Sequence, residues 1–170
     1  MKKIIYLGLY LGVAAAIFTA LLAATNEITA PRIAQIQEEN FLAALLQSFP
    51  GATDFEILDD TADYTLQIIQ MRQNDEVLGY VYSQEVRGFV DVIRYLIGID
   101  TDGYYVSFIV LSSRETPGFG TRINNEEWRS RIIDQHGSTQ IDTLTSATVT
   151  TEPIIRGLEA VYQDFLSNRN

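Results

Sequence analysis

Residues 4–24 read Ile-Ile-Tyr-Leu-Gly-Leu-Tyr-Leu-Gly-Val-Ala-Ala-Ala-Ile-Phe-Thr-Ala-Leu-Leu-Ala-Ala, 21 positions without a charge. A helix needs about 20 such residues to cross the hydrocarbon core of a bilayer. A cleaved signal peptide has a shorter apolar region, about 7–15 residues, and a small-x-small site after it. Here Ala14-Ala15-Ala16 lies inside the run, and residues 21–24 make a poor cleavage site. The segment therefore reads as an uncleaved transmembrane helix. Lys2 and Lys3 precede it and are the only lysines of the chain. Positive charge stays on the cytoplasmic side. Residues 1–3 are then expected in the cytoplasm, with everything after residue 24 on the far side of a cytoplasmic (inner) membrane crossed once.

The rest of the chain is acidic. All 22 acidic residues and 10 of the 12 basic ones lie beyond the span, a net charge of 10 − 22 = −12. A domain of that sign and without lysine is a poor partner for nucleic acid. The chain has no cysteine and one histidine, His136. Disulfides, thiolate zinc, iron–sulfur clusters and a histidine-cluster metal site are thereby excluded. Redox chemistry on this chain needs an organic cofactor.

The length, 170 residues, suits one anchor and one compact domain. Asn26-Glu27-Ile28-Thr29-Ala30-Pro31 reads as a break and a restart, with Thr29 as cap and Pro31 in the first turn. Ile33, Ile36, Phe41, Leu42, Leu45 and Leu46 predict an amphipathic helix that fills a connecting segment, 25–50. The domain proper is 51–170. Strands are predicted over residues 64–71 and 77–84, around the turn Gln73-Asn74-Asp75, and over 90–100 and 104–112, around Asp100-Thr101-Asp102-Gly103. The alternating aspartates there lack the later ligands of a calcium loop. Residues 125–134 predict a short helix bearing Trp128, and residues 141–144 a further strand. Ile154, Ile155, Leu158, Val161, Tyr162 and Phe165 predict a final helix with Pro153 in its first turn. This order gives an α+β fold, an antiparallel sheet flanked by helices.

Two segments stand out chemically. Glu115-Thr116-Pro117-Gly118-Phe119-Gly120 follows a strand, and Pro117-Gly118 sets a type II turn. Its backbone suits close approach to a flat ligand, or is a plain strand-to-helix turn. Asp142-Thr143-Leu144-Thr145-Ser146-Ala147-Thr148-Val149-Thr150-Thr151 leads into the final helix with five hydroxyls between Thr145 and Thr151. Such a helix start suits a phosphate, or needs no more than Thr150 or Thr151 as an N-cap. The residues alone leave both pairs of readings open. No dinucleotide fingerprint, phosphate loop or nucleophile elbow is present. A triad through His136 would have to work from a polar loop, where a surface histidine is the simpler reading.

Asp142-x-Leu144-Thr145-Ser146-Ala147-Thr148 resembles the flavinylation motif of the FMN-binding domain family, whose last Thr carries the flavin. Glu115-Thr116-Pro117-Gly118-Phe119-Gly120 is similar to the Glu-Thr-Pro-Gly-x-Gly loop of that family. The span with Asn26-Glu27-Ile28-Thr29-x-Pro31-Arg32-Ile33-Ala34 resembles the anchor region of the RnfG family. The three matches occur in the family's order. Two positions depart from it: Ser146 stands where Gly is usual, and Asp91 where a second glycine follows Gly88-Phe89-Val90.

The resemblance implies an electron-transfer subunit of a membrane-bound complex that couples electron flow to translocation of Na⁺ or H⁺. Such a chain is a relay within a translocase rather than a catalyst alone. It implies FMN esterified through its phosphate to Thr148, with Thr145, Ser146, Ala147, Thr150 and Thr151 around the phosphate. Glu115, Thr116, Gly118, Phe119 and Gly120 would lie near the isoalloxazine ring. It implies Asp142 as a recognition element for a flavin transferase, and other membrane subunits of an Rnf-type complex as partners. An NqrC-like subunit of a sodium-pumping quinone reductase is the related alternative. A non-redox anchored domain that binds a phosphate ligand or serves as a scaffold is the alternative from another class.

Overall fold

The computed structural model describes residues 2–59 and 66–168. The chain divides into two units between Asn40 and Phe41. Helix α1 covers Lys2–Ser48. Along the first unit its apolar side chains, among them Ile4, Leu7, Leu11, Phe18 and Leu22, are exposed. Among the described residues α1 is the one helix long and apolar enough to cross a membrane.

The break expected at residues 26–31 does not occur. Pro31 lies inside α1, where it removes one backbone donor. Thr29 does not cap: its hydroxyl donates to Thr25 O at 2.9 Å, as Thr25 donates to Leu21 O at 2.8 Å. Both hydroxyls fold back on the turn before them, as they do inside a continuous helix rather than at its start.

The second unit is built on a five-stranded antiparallel meander, β1 (Asp54–Asp59), β2 (Leu66–Gln73), β3 (Glu76–Arg87), β4 (Val92–Asp100) and β5 (Tyr105–Ser112), in that spatial order. Four of the five predicted strands are present. The first two residues expected in β2, 64 and 65, lie outside the described residues. Strand β1 is not among the predicted strands; it pairs with β2 and its residues 54–58 are exposed, so burial left no alternating pattern to read. Both turns are as the sequence suggests. Asn74 and Asp75 take positive φ (49° and 68°), and Gly103 has φ 87°. Asp100 Oδ1 accepts from the Asp102 and Tyr104 amides at 3.0 and 2.8 Å, so that aspartate organises a turn.

Side-chain alternation divides the core between two faces. Tyr80, Tyr82, Tyr95, Ile97 and Phe108 pack with Trp128, Ile154, Leu158, Val161 and Phe165. Ile69, Met71, Val81 and Leu96 pack on the other face with Ala44, Leu45 and Phe49. The long helix α3, Thr148–Asn168, is pegged by tyrosines rising from the sheet. Tyr105 donates to Leu158 O at 2.7 Å, and Tyr82 to Asp164 Oδ2 at 2.8 Å. A 3-10 turn, Gly120–Asn124, and a four-residue helix α2, Glu126–Arg129, cross from β5 toward α3. The helix expected over 125–134 is thus shorter.

The strand expected over 141–144 is absent. Ile141 and Leu144 are both buried, three residues apart, while Asp142 between them is exposed. That spacing anchors an irregular segment rather than a pleated one.

Candidate functional site

Helix α3 begins at Thr148, five residues ahead of Pro153, which lies inside it. Thr150 and Thr151 therefore belong to its first turn and are not caps. Ala147 precedes the helix and accepts the amides of Thr150 and Thr151 at 3.0 and 2.9 Å through its carbonyl. It has no polar side chain, and among the described residues no side chain accepts the Thr148 or Val149 amide. The helix thus starts with free donors and a positive end.

Each hydroxyl of the segment has its own place. Thr151 is buried, donating to Ala147 O at 3.1 Å and accepting the Leu144 amide at 3.3 Å. Thr150 is buried and donates to Glu115 Oε2 at 2.9 Å. Thr145, Ser146 and Thr148 are exposed. Among the described residues the Thr148 hydroxyl has no hydrogen-bond partner. Ser146 takes φ 68°, the left-handed conformation in which glycine is least strained. That explains why glycine is usual there. Two arginines hold the approach to the helix by its carbonyls. Arg122 Nη1 donates to Thr145 O at 2.8 Å, and Arg131 Nη1 to Thr143 O at 3.2 Å. The same Arg122 hydrogen-bonds Glu127 and, with Arg131 nearby, holds its carboxyl below the usual glutamate value.

The second segment folds against this start. Gly118 has φ 78° and the Phe119 amide donates to Thr116 O at 3.2 Å, the turn expected of Pro117-Gly118. Glu115 is 5% exposed. Its Oε1 accepts the Val90 amide at 3.0 Å and the Asp91 amide at 3.4 Å, while its Oε2 accepts Thr150. One carboxylate thus ties the β3–β4 hairpin tip, its own loop and α3 together. Gly88 and Gly120 make room for it: a Cβ at either would collide with Glu115. Asp91 needs no glycine here, because its φ is not positive. Its side chain accepts the Val92 amide at 2.8 Å.

The result is an open cleft of about 420 Å³ lined by Phe89, Glu115, Thr116, Phe119, Gly120 and residues 146–150. The volume falls within the range of small-ligand sites, about 300–1,000 Å³. Eight of the sequence-predicted residues line it: Glu115, Thr116, Phe119, Gly120, Ser146, Ala147, Thr148 and Thr150. Thr145, Thr151, Gly118 and Asp142 do not. Gly118 and Thr151 shape the two walls from behind, and Thr145 supplies the carbonyl that Arg122 holds. Asp142 is exposed. Phe89 and Val149 were not foreseen as lining. Phe89 is 67% and Phe119 56% exposed. Two aromatics left in water beside one cleft are an uncommon arrangement for a surface, and suit a flat aromatic ring. The cleft therefore offers apolar ring contacts, a free hydroxyl and a helix N-terminus, which together fit FMN. His136 lies elsewhere, half-buried in T-shaped contact with Tyr104 and Tyr162 rather than free on the surface.

Comparison with known proteins gives the same picture. The family described as RnfG N-terminal region matches residues 1–47, and the FMN-binding domain matches residues 88–163. The chain is 26% identical to the G subunit of the Na(+)-translocating ferredoxin:NAD(+) oxidoreductase complex of Acetobacterium woodii, over 96% of this chain and 93% of that one. It is 28% identical to the G subunit of the ion-translocating oxidoreductase complex of Methanosarcina acetivorans, over 91% and 90%. It is 26% identical to the G subunit of the proton-translocating ferredoxin:NAD(+) oxidoreductase complex of Clostridium ljungdahlii, over 84% and 82%. The crystal structure of NqrC from Shewanella oneidensis superposes with a TM-score of 0.49 at 14% identity, over 68% of this chain and 67% of that one.

Proposed function

Because the chain belongs to the proteins that join an RnfG N-terminal region to an FMN-binding domain, we propose that it is the G subunit of an ion-translocating electron-transport complex. In this reading it carries FMN covalently on Thr148. The observation that supports it best is the meeting of two distant segments in one cleft. Thr148, exposed, without a hydrogen bond among the described residues and first in α3, lines one cleft with Glu115, Thr116, Phe119 and Gly120. Relatives of equal identity are named for different ions, sodium and protons, so the reading specifies translocation and not the ion.

Thr148 Oγ is the acceptor of the flavin. In the loading step, catalysed by a flavin transferase, it attacks the FMN-side phosphorus of FAD. The phosphoester bond to Thr148 forms, the pyrophosphate bond breaks, AMP leaves, and the hydroxyl proton is released. The Thr148 and Val149 amides and the positive end of α3 stabilise the phosphate charge. Phe89 and Phe119 would hold the ring and shield it from water. Arg122 and Arg131, by fixing the carbonyls of Thr145 and Thr143, orient the segment that carries Thr148. Asp142, exposed six residues before the acceptor, serves transferase recognition. Bound FMN supplies one-electron chemistry that no side chain here supplies. A covalent link keeps it on a domain that faces outward, where free FMN is scarce.

In the same reading residues 4–24 of α1 cross the membrane once, residues 1–3 are cytoplasmic, 25–50 connect, and 51–170 form the FMN-binding domain outside the cytoplasm. Lys2 and Lys3 support that orientation. Denaturing electrophoresis under ultraviolet light tests the cofactor assignment. Protein expressed with its transferase gives a fluorescent band, and a dark band contradicts the assignment.

A further inference from the structure

The Glu115 carboxylate holds three hydrogen bonds, and every partner is a neutral donor: the Val90 amide, the Asp91 amide and the Thr150 hydroxyl. A carboxylate, which only accepts, meets all three of these donors. Among the described residues no arginine or histidine lies within ion-pair distance of it; the ion pairs of the neighbouring arginines go to Asp91 and Glu127. The side chain is buried yet lines the cleft, in a niche that Gly88 and Gly120 leave open. A buried charge without an ion-pair partner is costly even when hydrogen-bonded. A glutamine would serve a purely mechanical clamp at lower cost.

Resting on the FMN reading of the cleft, we propose that Glu115 tunes the bound flavin, its fixed negative charge holding the reduction potential low. Adding an electron beside a fixed negative charge is opposed, the more so in a wall screened from water. The three donors keep the carboxylate from turning away, so its charge acts at a constant position.

Redox titration of the full-length flavinylated protein, with dithionite as reductant, tests this. Glu115→Gln keeps the shape and removes the charge. Its midpoint potential rises, by roughly tenfold in the oxidised-to-reduced equilibrium or about 59 mV for a one-electron couple. Thr150→Val breaks the same clamp and keeps the charge; its potential does not rise. Equal potentials for Glu115→Gln and the parent, or equal rises in both variants, overturn the proposal and leave Glu115 a structural clamp. A folded Glu115→Gln protein that takes no flavin also overturns it, moving the carboxylate's role to loading. A parent protein without flavin contradicts the underlying FMN reading instead.

Discussion

The Thr150 hydroxyl donates to Glu115 Oε2 at 2.9 Å, both side chains buried, and so joins segments 35 residues apart in sequence. This bond makes one site of two motifs. Thr150→Val is nearly isosteric and leaves one carboxylate oxygen short of a donor. The expected loss is about 1–3 kcal/mol of stability. Thr150→Ser keeps the hydroxyl and loses less. Urea denaturation of the three proteins checks this; equal midpoints would mean that the bond contributes nothing.

Ser146 holds φ 68°, which strains a side-chain-bearing residue by about 1–2 kcal/mol. Ser146→Gly relieves that strain, less the entropy glycine regains on unfolding, for a net gain of about 0.5–1 kcal/mol. Thermal melts give the sign directly. A lower melting temperature would show that the Ser146 hydroxyl does more for the fold than the left-handed backbone costs.

Gly120→Ala places a methyl against the Glu115 side chain. Overpacking of this kind costs about 1–3 kcal/mol. It also pushes the carboxylate from its amides, so the Val90 and Asp91 N–H groups exchange faster with deuterium. Gly118→Ala differs: nothing lies within contact of a Cβ there, and only its φ of 78° opposes the change. Amide exchange at Val90 and Asp91 should stay slow in that variant.

Burial pushes the Tyr105 hydroxyl well above the ordinary tyrosine value, with Tyr162 and Glu159 adding to the shift. The folded state therefore keeps a proton that the unfolded chain releases above pH of about 10. The stabilisation is complete below that pH and is lost as pH rises toward the folded value. Stability should fall as pH is raised through about 10 and beyond. Tyr105→Phe should flatten the fall and cost about 0.5–1.5 kcal/mol at neutral pH, through its lost bond to Leu158 O. An unchanged slope in Tyr105→Phe would assign the alkaline loss to other groups.

Much of this was legible in the sequence because it is local. The hairpin turns at Asn74-Asp75 and Gly103 and the turn at Pro117-Gly118 follow from residue types that tolerate positive φ. So do strands β2 to β5 from their alternation. What failed was decided by hydrogen-bond partners and by packing that residue types alone do not show. Thr29 and Pro31 carry the signs of a helix start, yet both lie inside α1, where the Thr29 hydroxyl bonds back to Thr25 O. Ile141 and Leu144 look like a strand, but no neighbouring strand among the described residues offers a ladder. Thr150 and Thr151 look like caps, yet one reaches Glu115 and the other Ala147. Phe89 is a cleft wall because the Glu115 bonds to Val90 and Asp91 and the Arg114–Asp91 ion pair bring that hairpin tip across, contacts no local pattern shows.

Thr148 carries the central claim. Its side chain is exposed and makes no hydrogen bond among the described residues, so Thr148→Ala should change stability by less than about 0.5 kcal/mol. The direct measurement is intact mass, followed by peptide mapping, of the full-length protein expressed with its flavin transferase. The account predicts the mass of the chain plus FMN less one water, with the addition on the peptide containing Thr148, and its complete loss in Thr148→Ala. An unmodified parent mass, or an addition that survives Thr148→Ala, would contradict it.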